Sequence, residues 1–231
     1  MIKITNLVKK FGKKAAVNKL NLNIPKGSVY GLIGLNGAGK TTTLSMIATL
    51  IIPTKGDIIV NEYSIKKEPD KVRQSIGLLP QDSEFYEHRT VLSNMEYYCN
   101  LKNVNTKEAS EIIKKVGLDN VKNTKVTKLS HGMKKSLSLG QALIGNPKVL
   151  LLDEPFSGLD PLVRIKIREV IKEYAKKSTT LICSHDLNEI EKLCDRISII
   201  NNGVAVLEGK ITNIKKKKKS LEQVFLKAVK Q

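Results

Sequence analysis

Between Gly34 and Thr41 the chain reads Gly-Leu-Asn-Gly-Ala-Gly-Lys-Thr, and no other stretch restricts the fold so tightly. It fits the pattern G-x-x-x-x-G-K-[ST]. Its glycines let the backbone curl with no side chains in the way, so that successive N–H groups point inward at phosphate oxygens. Lys40 then reaches the outer phosphates of a nucleotide, Thr41 offers a hydroxyl to Mg²⁺, and the helix starting there adds about half a positive charge. Val29 to Ile33 reads as a buried strand running in, and Thr42 to Ile51 as an apolar helix running out. Strand, loop, helix is the order such a loop requires.

With 231 residues there is enough chain for one α/β domain with a smaller appended lobe. No apolar run approaches the eighteen or so residues that cross a bilayer, and the longest, Leu44 to Ile52, stops at Pro53. The N-terminus lacks the pattern of a signal peptide, so a cytosolic protein is expected. Cys99, Cys183 and Cys194 have no CxxC spacing and read as buried thiols, with a metal site of Cys183, His185 and Cys194 as the less expected reading. The net charge of +18 favours contact with something anionic, whether nucleotide, membrane headgroups or nucleic acid. Lysines spread along the chain fit solvated faces equally well.

Short apolar/polar alternations at Ile2/Ile4, Val17, Leu20/Leu22/Ile24, Ile58/Val60 and Ile76/Leu78 predict half-buried antiparallel strands beside the nucleotide-binding sheet. Phe11, ahead of Gly12, reads either as a ring that stacks on a purine or as an ordinary core or turn aromatic. From about Glu84 to Gly145 the spacing becomes helical. Thr90 caps a helix running to Leu101, Thr106 caps one ending at Gly117, and a third follows Ser130 with Met133, Leu137 and Ile144 on one face.

Lys148 to Leu152 is a continuously apolar strand of the kind buried on both faces, followed at once by Asp153-Glu154-Pro155. Ligands of parallel sheets bind at the carboxyl ends of the strands, which places Asp153 and Glu154 near Thr41 and the terminal phosphate. One carboxylate can hold Mg²⁺ and the other polarise an attacking water. Asp160-Pro161 opens a further helix, and Thr179 to Cys183 is a strand delivering Ser184 and His185 to the same sheet edge, with Asp186 starting the next helix. Ile197 to Ile200, Asn202-Gly203 and Val204 to Leu207 form a hairpin. Lys215 to Lys219 reads as a solvated linker before a short helix from Ser220, with a membrane-surface or nucleic-acid role as the sharper alternative.

In this order Phe11, Gly34 to Thr41, Gln81, Leu129-Ser130-His131-Gly132-Met133, Val149 to Pro155, Ser157-Gly158-Leu159-Asp160 and His185 resemble the motif set of the ATP-binding subunits of ABC transporters, over nearly the whole chain. The resemblance implies an α/β fold of the P-loop NTPase, RecA-like type: a mixed sheet, an antiparallel β subdomain and an inserted α-helical subdomain. It divides the single domain into a β layer and nucleotide-binding core (1–83 and 146–212), a helical insertion (84–145) and a lysine-rich linker with a C-terminal helix (213–231). It implies ATP and Mg²⁺ as cofactors. The implied nucleotide site comprises Phe11, Val17, Asn36, Gly37, Ala38, Gly39, Lys40, Thr41, Thr42 and Gln81, with Thr41, Gln81 and Asp153 around the metal. Glu154 is the implied general base and His185 a γ-phosphate contact, and Lys40 completes the catalytic set.

In that family two such subunits close head to tail around two ATP molecules. Ser130 and Gly132 of one would cap the γ-phosphate held by the other, and Asp160 would lie at the interface. A separate transmembrane permease is the implied partner, which places the chain on the cytoplasmic face of the membrane. The tail Ser220 to Leu226 resembles subunits of ABC-2 type exporters, and a chain ending there is expected to lack the regulatory domain of some importer ATPases. Departures are His131 and Met133 in the signature, where the family typically has Gly and Gln, Gly140-Gln141 in place of a small residue and Arg, and Phe11 in place of Tyr. A soluble ATPase acting on nucleic acid or ribosomes is the alternative, and the lack of an inserted coiled coil or second cassette makes nucleic acid the less expected partner. The third reading, a weak nucleotide sensor, has only the altered signature in its favour, since Glu154 and His185 are both present.

Overall fold

The computed structural model describes residues 1–215 and 220–230. Six strands, β1 (Ile2–Phe11), β2 (Lys14–Ile24), β3 (Val29–Ile33), β4 (Lys55–Val60), β5 (Tyr63–Ser64) and β6 (Ile76–Leu79), are interrupted by α1 (Lys40–Ile47) and α2 (Pro69–Ser75). Three helices follow, α3 (Val91–Leu101), α4 (Lys107–Lys115) and α5 (His131–Leu143). Then come β7 (Val149–Asp153), α6 (Pro161–Ala175), β8 (Thr179–Ser184), α7 (Leu187–Leu193), the hairpin β9 (Arg196–Asn201) and β10 (Val204–Lys210), α8 (Ile211–Lys215) and α9 (Leu221–Val229).

The strands form two sheets. One is antiparallel in the order β2-β1-β4-β5; the other has the order β10-β9-β3-β8-β7-β6 and is parallel except for the edge strand β10. All five residues of β7 are buried, because alternate side chains enter different cores. Val149 and Leu151 pack with α1 and the antiparallel sheet, whereas Leu150 and Leu152 pack with the helices on the opposite face. A strand sandwiched in this way needs an unbroken apolar run, which is what Val149 to Leu152 supplies. The register levels the carboxyl ends of the central strands: Ile33 lies opposite Ser184, and Asp153 opposite Cys183. Everything that leaves these ends emerges along one edge.

Local chemistry sets several element boundaries. Thr90, Ser130, Asp160 and Asp186 each accept a hydrogen bond from a backbone N–H in the first turn of the helix they precede, and Ser220 and Gln223 form a reciprocal capping box on α9. Asn202 and Gly203, both at positive φ, make the tight β9–β10 turn.

Several expectations are corrected. β6 joins the parallel sheet beside β7 rather than the antiparallel one, since its Ile76 and Leu79 are buried between α-helical and sheet neighbours. The stretch before it holds α2, opened by Pro69 in its first turn. The helix α1 stops at Ile47, four residues short of Ile51, where Thr49 turns into the left-handed region. Thr106 makes no capping bond; Asn105 Oδ1 accepts from Lys107 N at 2.9 Å instead. Met133 is exposed and does not share the buried face of Leu137. Lys215 belongs to α8, and Lys216 to Lys219 of the expected linker lie outside the described residues. All three cysteines are buried and free. Among the described residues no helix is long and apolar enough to cross a membrane, and no cluster of metal-ligating side chains of the Cys/His type occurs.

Candidate functional site

Along the level strand ends runs a cleft of about 550 Å³. Its floor is the loop from Gly34 to Lys40. A side chain at Gly34 would bring a Cβ to 2.6 Å from Ile200 O, and one at Gly39, which has φ +105°, to 2.5 Å from Ala16 O. These two glycines therefore let the loop lie flush between β2 and the end of β9. The backbone is clamped from the far side as well, with Gly203 N donating to Ala38 O at 3.0 Å. Gly39 begins α1 without a side-chain cap, and the first turn holds no acidic residue. Its N–H groups and its dipole are thus left for an anionic ligand. Lys40 is only 6% exposed and curls over the loop, its Nζ donating to Gly34 O at 2.8 Å and Leu35 O at 3.2 Å.

The carboxylates come from the end of β7. Asp153 is 1% exposed and its Oδ1 has no hydrogen-bond partner. Burial pushes its carboxyl above the usual range; the Thr41 hydroxyl opposes that, Glu154 adds to it, and Lys40 and Lys135 oppose it. An orphaned, buried carboxylate oxygen beside a threonine hydroxyl is the donor set a hard divalent cation takes. Glu154 follows in the left-handed region at φ +45°, which turns its side chain back across the sheet edge. Its Oε1 lies 2.8 Å from His185 Nδ1, and its Oε2 accepts from Ser184 Oγ at 3.1 Å. Behind the loop, burial raises the Cys183 thiol well above its ordinary range, so it stays a neutral packing group.

The mouth of the cleft is formed by Phe11, Lys14 and Ala16. Phe11 is 52% exposed, which excludes the core reading, and Lys9 Nζ stands 5.0 Å from its ring centroid. Asn36, Gly37, Gly39, Lys40, Thr41, Thr42, Gln81, Glu154 and His185 all line the cleft. Val17, Ala38 and Asp153 do not. Val17 and Ala38 are buried in the core; for Val17 the cause is the alternation of β2, which turns Lys14 and Ala16 towards the cleft and Val17 away from it. Asp153 sits beneath the wall rather than in it.

Ser130, Gly132 and Asp160 also stand off this cleft. Ser130 caps α5, Gly132 packs against Val163, and Asp160 caps α6, so the amino ends of two helices meet at a separate face. His131 bridges the two regions, its Nε2 3.4 Å from the carbonyl oxygen of Ser157, a cleft residue. Two contacts that the residue pattern does not announce matter here. Ser184, expected only as a residue delivered to the sheet edge, holds Glu154. Lys135, buried on α5, donates from Nζ to Gln81 O at 2.9 Å and ties the signature helix to the cleft wall. Burial lowers its ammonium pKa, with Asp82, Asp153 and Glu154 opposing.

The family profile described as ABC transporter matches residues 17–157, which span the loop, Gln81, the Ser130 region and the Asp153-Glu154 strand. The chain belongs to the ABC transporter ATP-binding family. Within that family it is 36% identical over 226 residues to the lantibiotic transport ATP-binding protein SrtF of Streptococcus pyogenes, covering 97% of this chain and 96% of that one. It is 37% identical over 219 residues to the linearmycin resistance ATP-binding protein LnrL of Bacillus subtilis, covering 93% and 70%. Among solved structures an ATP-binding subunit of an ABC transporter superposes with a TM-score of 0.90 at 25% identity, over 99% of both chains. A dimeric ATP-binding cassette in a post-hydrolysis state, bound to ADP and Pi, superposes with a TM-score of 0.84 at 28% identity, over 91% of this chain and 99% of that one. The α/β architecture with its mixed and antiparallel sheets is therefore that of an ABC ATPase cassette.

Proposed function

We propose that this ABC ATPase subunit hydrolyses Mg-ATP in the cleft at the strand ends and drives a separate transmembrane permease that exports its cargo. The observation that carries the reading is the Glu154 carboxylate, held on the cleft wall by His185 and Ser184 opposite the Gly34–Lys40 loop. Phe11 stacks on the base, and the loop amides with Lys40 and Thr42 bind the phosphates. A divalent cation would be held by Thr41, Gln81 and Asp153; when bound, it neutralises phosphate charge. Glu154 accepts the proton of the attacking water, and His185, tethered to it through Nδ1, keeps Nε2 free for the terminal phosphate.

Residues off the cleft act between subunits in this account. The face where Ser130, Gly132 and Asp160 gather docks on the nucleotide of a second copy or a related subunit, so that two cassettes close head to tail on ATP and reopen after hydrolysis. The helical stretch 84–145 and the core 1–83 with 146–212 are the units that move against each other. Export is supported by the transport and resistance names of SrtF and LnrL, and by the tail from Ser220. Attachment through the permease places the chain on the cytoplasmic face of the membrane.

The test is co-purification of Glu154→Gln with Mg-ATP from native membranes, alongside the ATPase rate of the wild type. Recovery of a multi-spanning membrane protein and a wild-type rate that Glu154→Gln abolishes support the reading. Recovery only with ribosomes or nucleic acid overturns the export half.

A further inference from the structure

We infer that Arg164 is a positioning residue for the Glu154–His185 pair, acting through the carboxylate of Asp186. The inference rests on the ATPase reading above and concerns how that pair is held in register.

Both groups that fix the Glu154 carboxylate lie where β8 passes into α7: Ser184 is the last residue of the strand, and His185 and Asp186 join it to the helix. Pairing opposite Ile33 holds the Ser184 backbone, whereas His185 and Asp186 form a two-residue connection, with His185 exposed, that has no strand pairing of its own. Its order comes from Asp186. The Asp186 backbone N–H donates to Ser184 Oγ at 3.0 Å, which occupies a lone pair and leaves the hydroxyl proton directed at Glu154 Oε2. The Asp186 side chain divides its two oxygens. Oδ1 accepts from Glu189 N at 3.2 Å and caps α7; Oδ2 accepts from Arg164 Nη1 at 2.7 Å.

The same guanidinium donates from Nε to the carbonyl oxygen of Leu159 at 3.1 Å. Leu159 lies in the turn that continues from Glu154, whereas Asp186 lies in the turn that carries His185. One planar, rigid fork therefore spans the two connections that leave neighbouring strands β7 and β8, each of which supplies one member of the pair. The Arg164 and Asp186 side chains are 32% and 24% exposed, so this is a partly screened contact rather than a freely solvated surface pair.

One turn further along α6, Arg168 grips Glu189 with two bonds of 2.7 and 2.6 Å, and those side chains are 17% and 5% exposed. That pair fastens helix to helix and reaches neither connection. The two rungs thus divide the work: Arg168–Glu189 holds α6 against α7 further along the helices, and Arg164–Asp186 fixes the 185–186 connection itself. A lysine at position 164 carries the charge but lacks the fork that meets Leu159 O and Asp186 Oδ2 together.

The experiment compares wild type, Arg164→Met, Arg164→Lys, Asp186→Asn, the Arg164→Met/Asp186→Asn double variant and Arg168→Met, each as the full chain. Steady-state ATP turnover is read together with the NMR ring signals of His185, one of three histidines. Asparagine keeps an oxygen for the Glu189 cap, so Asp186→Asn removes the ion pair without removing the cap. Each Arg164 variant and Asp186→Asn should lower kcat about tenfold with KM within about twofold, and shift or broaden the His185 signals. The double variant should be no slower than the singles, because both remove one link. Arg168→Met should melt several degrees lower, with wild-type kcat and His185 signals. Wild-type kcat and unmoved His185 signals in folded Arg164→Met or Arg164→Lys overturn the inference, as does a double variant whose losses multiply. A wild type that hydrolyses no ATP overturns the ATPase reading instead, and the His185 signals, which need no turnover, still decide the positioning role.

Discussion

Replacing glycines of the phosphate loop one at a time separates conformational strain from steric exclusion. At Gly37 φ is +80° and an added Cβ meets nothing within 4 Å, so Gly37→Ala suffers only the left-handed penalty of about 1 kcal/mol. At Gly39 φ is +105° and the added Cβ lands 2.5 Å from Ala16 O, a backbone atom of β2 that cannot rotate away. Overpacking of that kind adds about 1–3 kcal/mol, for a total of about 2–4 kcal/mol. For a chain of this size 1 kcal/mol moves Tm by about 2–4 °C, so Gly37→Ala should melt about 2–4 °C below wild type and Gly39→Ala about 5–15 °C below it. Because Ala16 lines the cleft, Gly39→Ala should also weaken binding of a fluorescent ATP analogue far more than Gly37→Ala does. Thermal unfolding and a nucleotide titration check both. Equal losses at the two positions would refute the argument that the loop is wedged against β2.

Other perturbations have equally defined outcomes. Glu154→Gln should leave nucleotide affinity intact and cut turnover about a hundredfold or more, the scale of a lost general base; unchanged steady-state turnover removes Glu154 from that role. Lys40→Ala deletes a charge-assisted contact of about 1.5–3 kcal/mol, so the Kd for ATP should rise about tenfold to a hundredfold in calorimetry. Phe11→Ala should weaken ATP binding by about 1–3 kcal/mol, the scale of base stacking on an aromatic ring, and an unchanged Kd assigns the base to another surface. Asp153 keeps its proton to higher pH folded than unfolded, so without ligand the folded state loses stability as pH rises from the ordinary carboxyl range through that raised value. Asp153→Asn should therefore flatten that part of the stability–pH curve, raise nucleotide-free stability at pH 7, and lose the extra stabilisation Mg²⁺ gives with ATP; a steeper curve contradicts the orphaned carboxylate.

The parts of the fold legible in the sequence are those decided locally. The caps at Thr90, Ser130, Asp160 and Asp186 and the Asn202-Gly203 turn are written in residue types that satisfy backbone groups within a few positions. The unbroken run Val149 to Leu152 declares a strand buried on both faces. What escaped depends on distant partners. Ile76 and Leu78 alternate as an antiparallel strand would, and only pairing with β7 makes β6 parallel. Arg164 and Arg168 sit four apart like any solvated helix face, and nothing local pairs them with Asp186 and Glu189. Lys135 looks like one more lysine in a basic chain, yet its ammonium is buried against Gln81. The motif residues gave the site, and the long-range contacts give what holds it.

The measurement closest to the central claim is the mass of Glu154→Gln by sedimentation equilibrium, with and without Mg-ATP. Without nucleotide the mass should be near 25.7 kDa; with Mg-ATP it should double, and it should not double when Ser130 is changed to bulky Arg in the same background. A protein that binds Mg-ATP to saturation yet keeps its monomer mass would contradict the head-to-tail closure on which the proposed function depends.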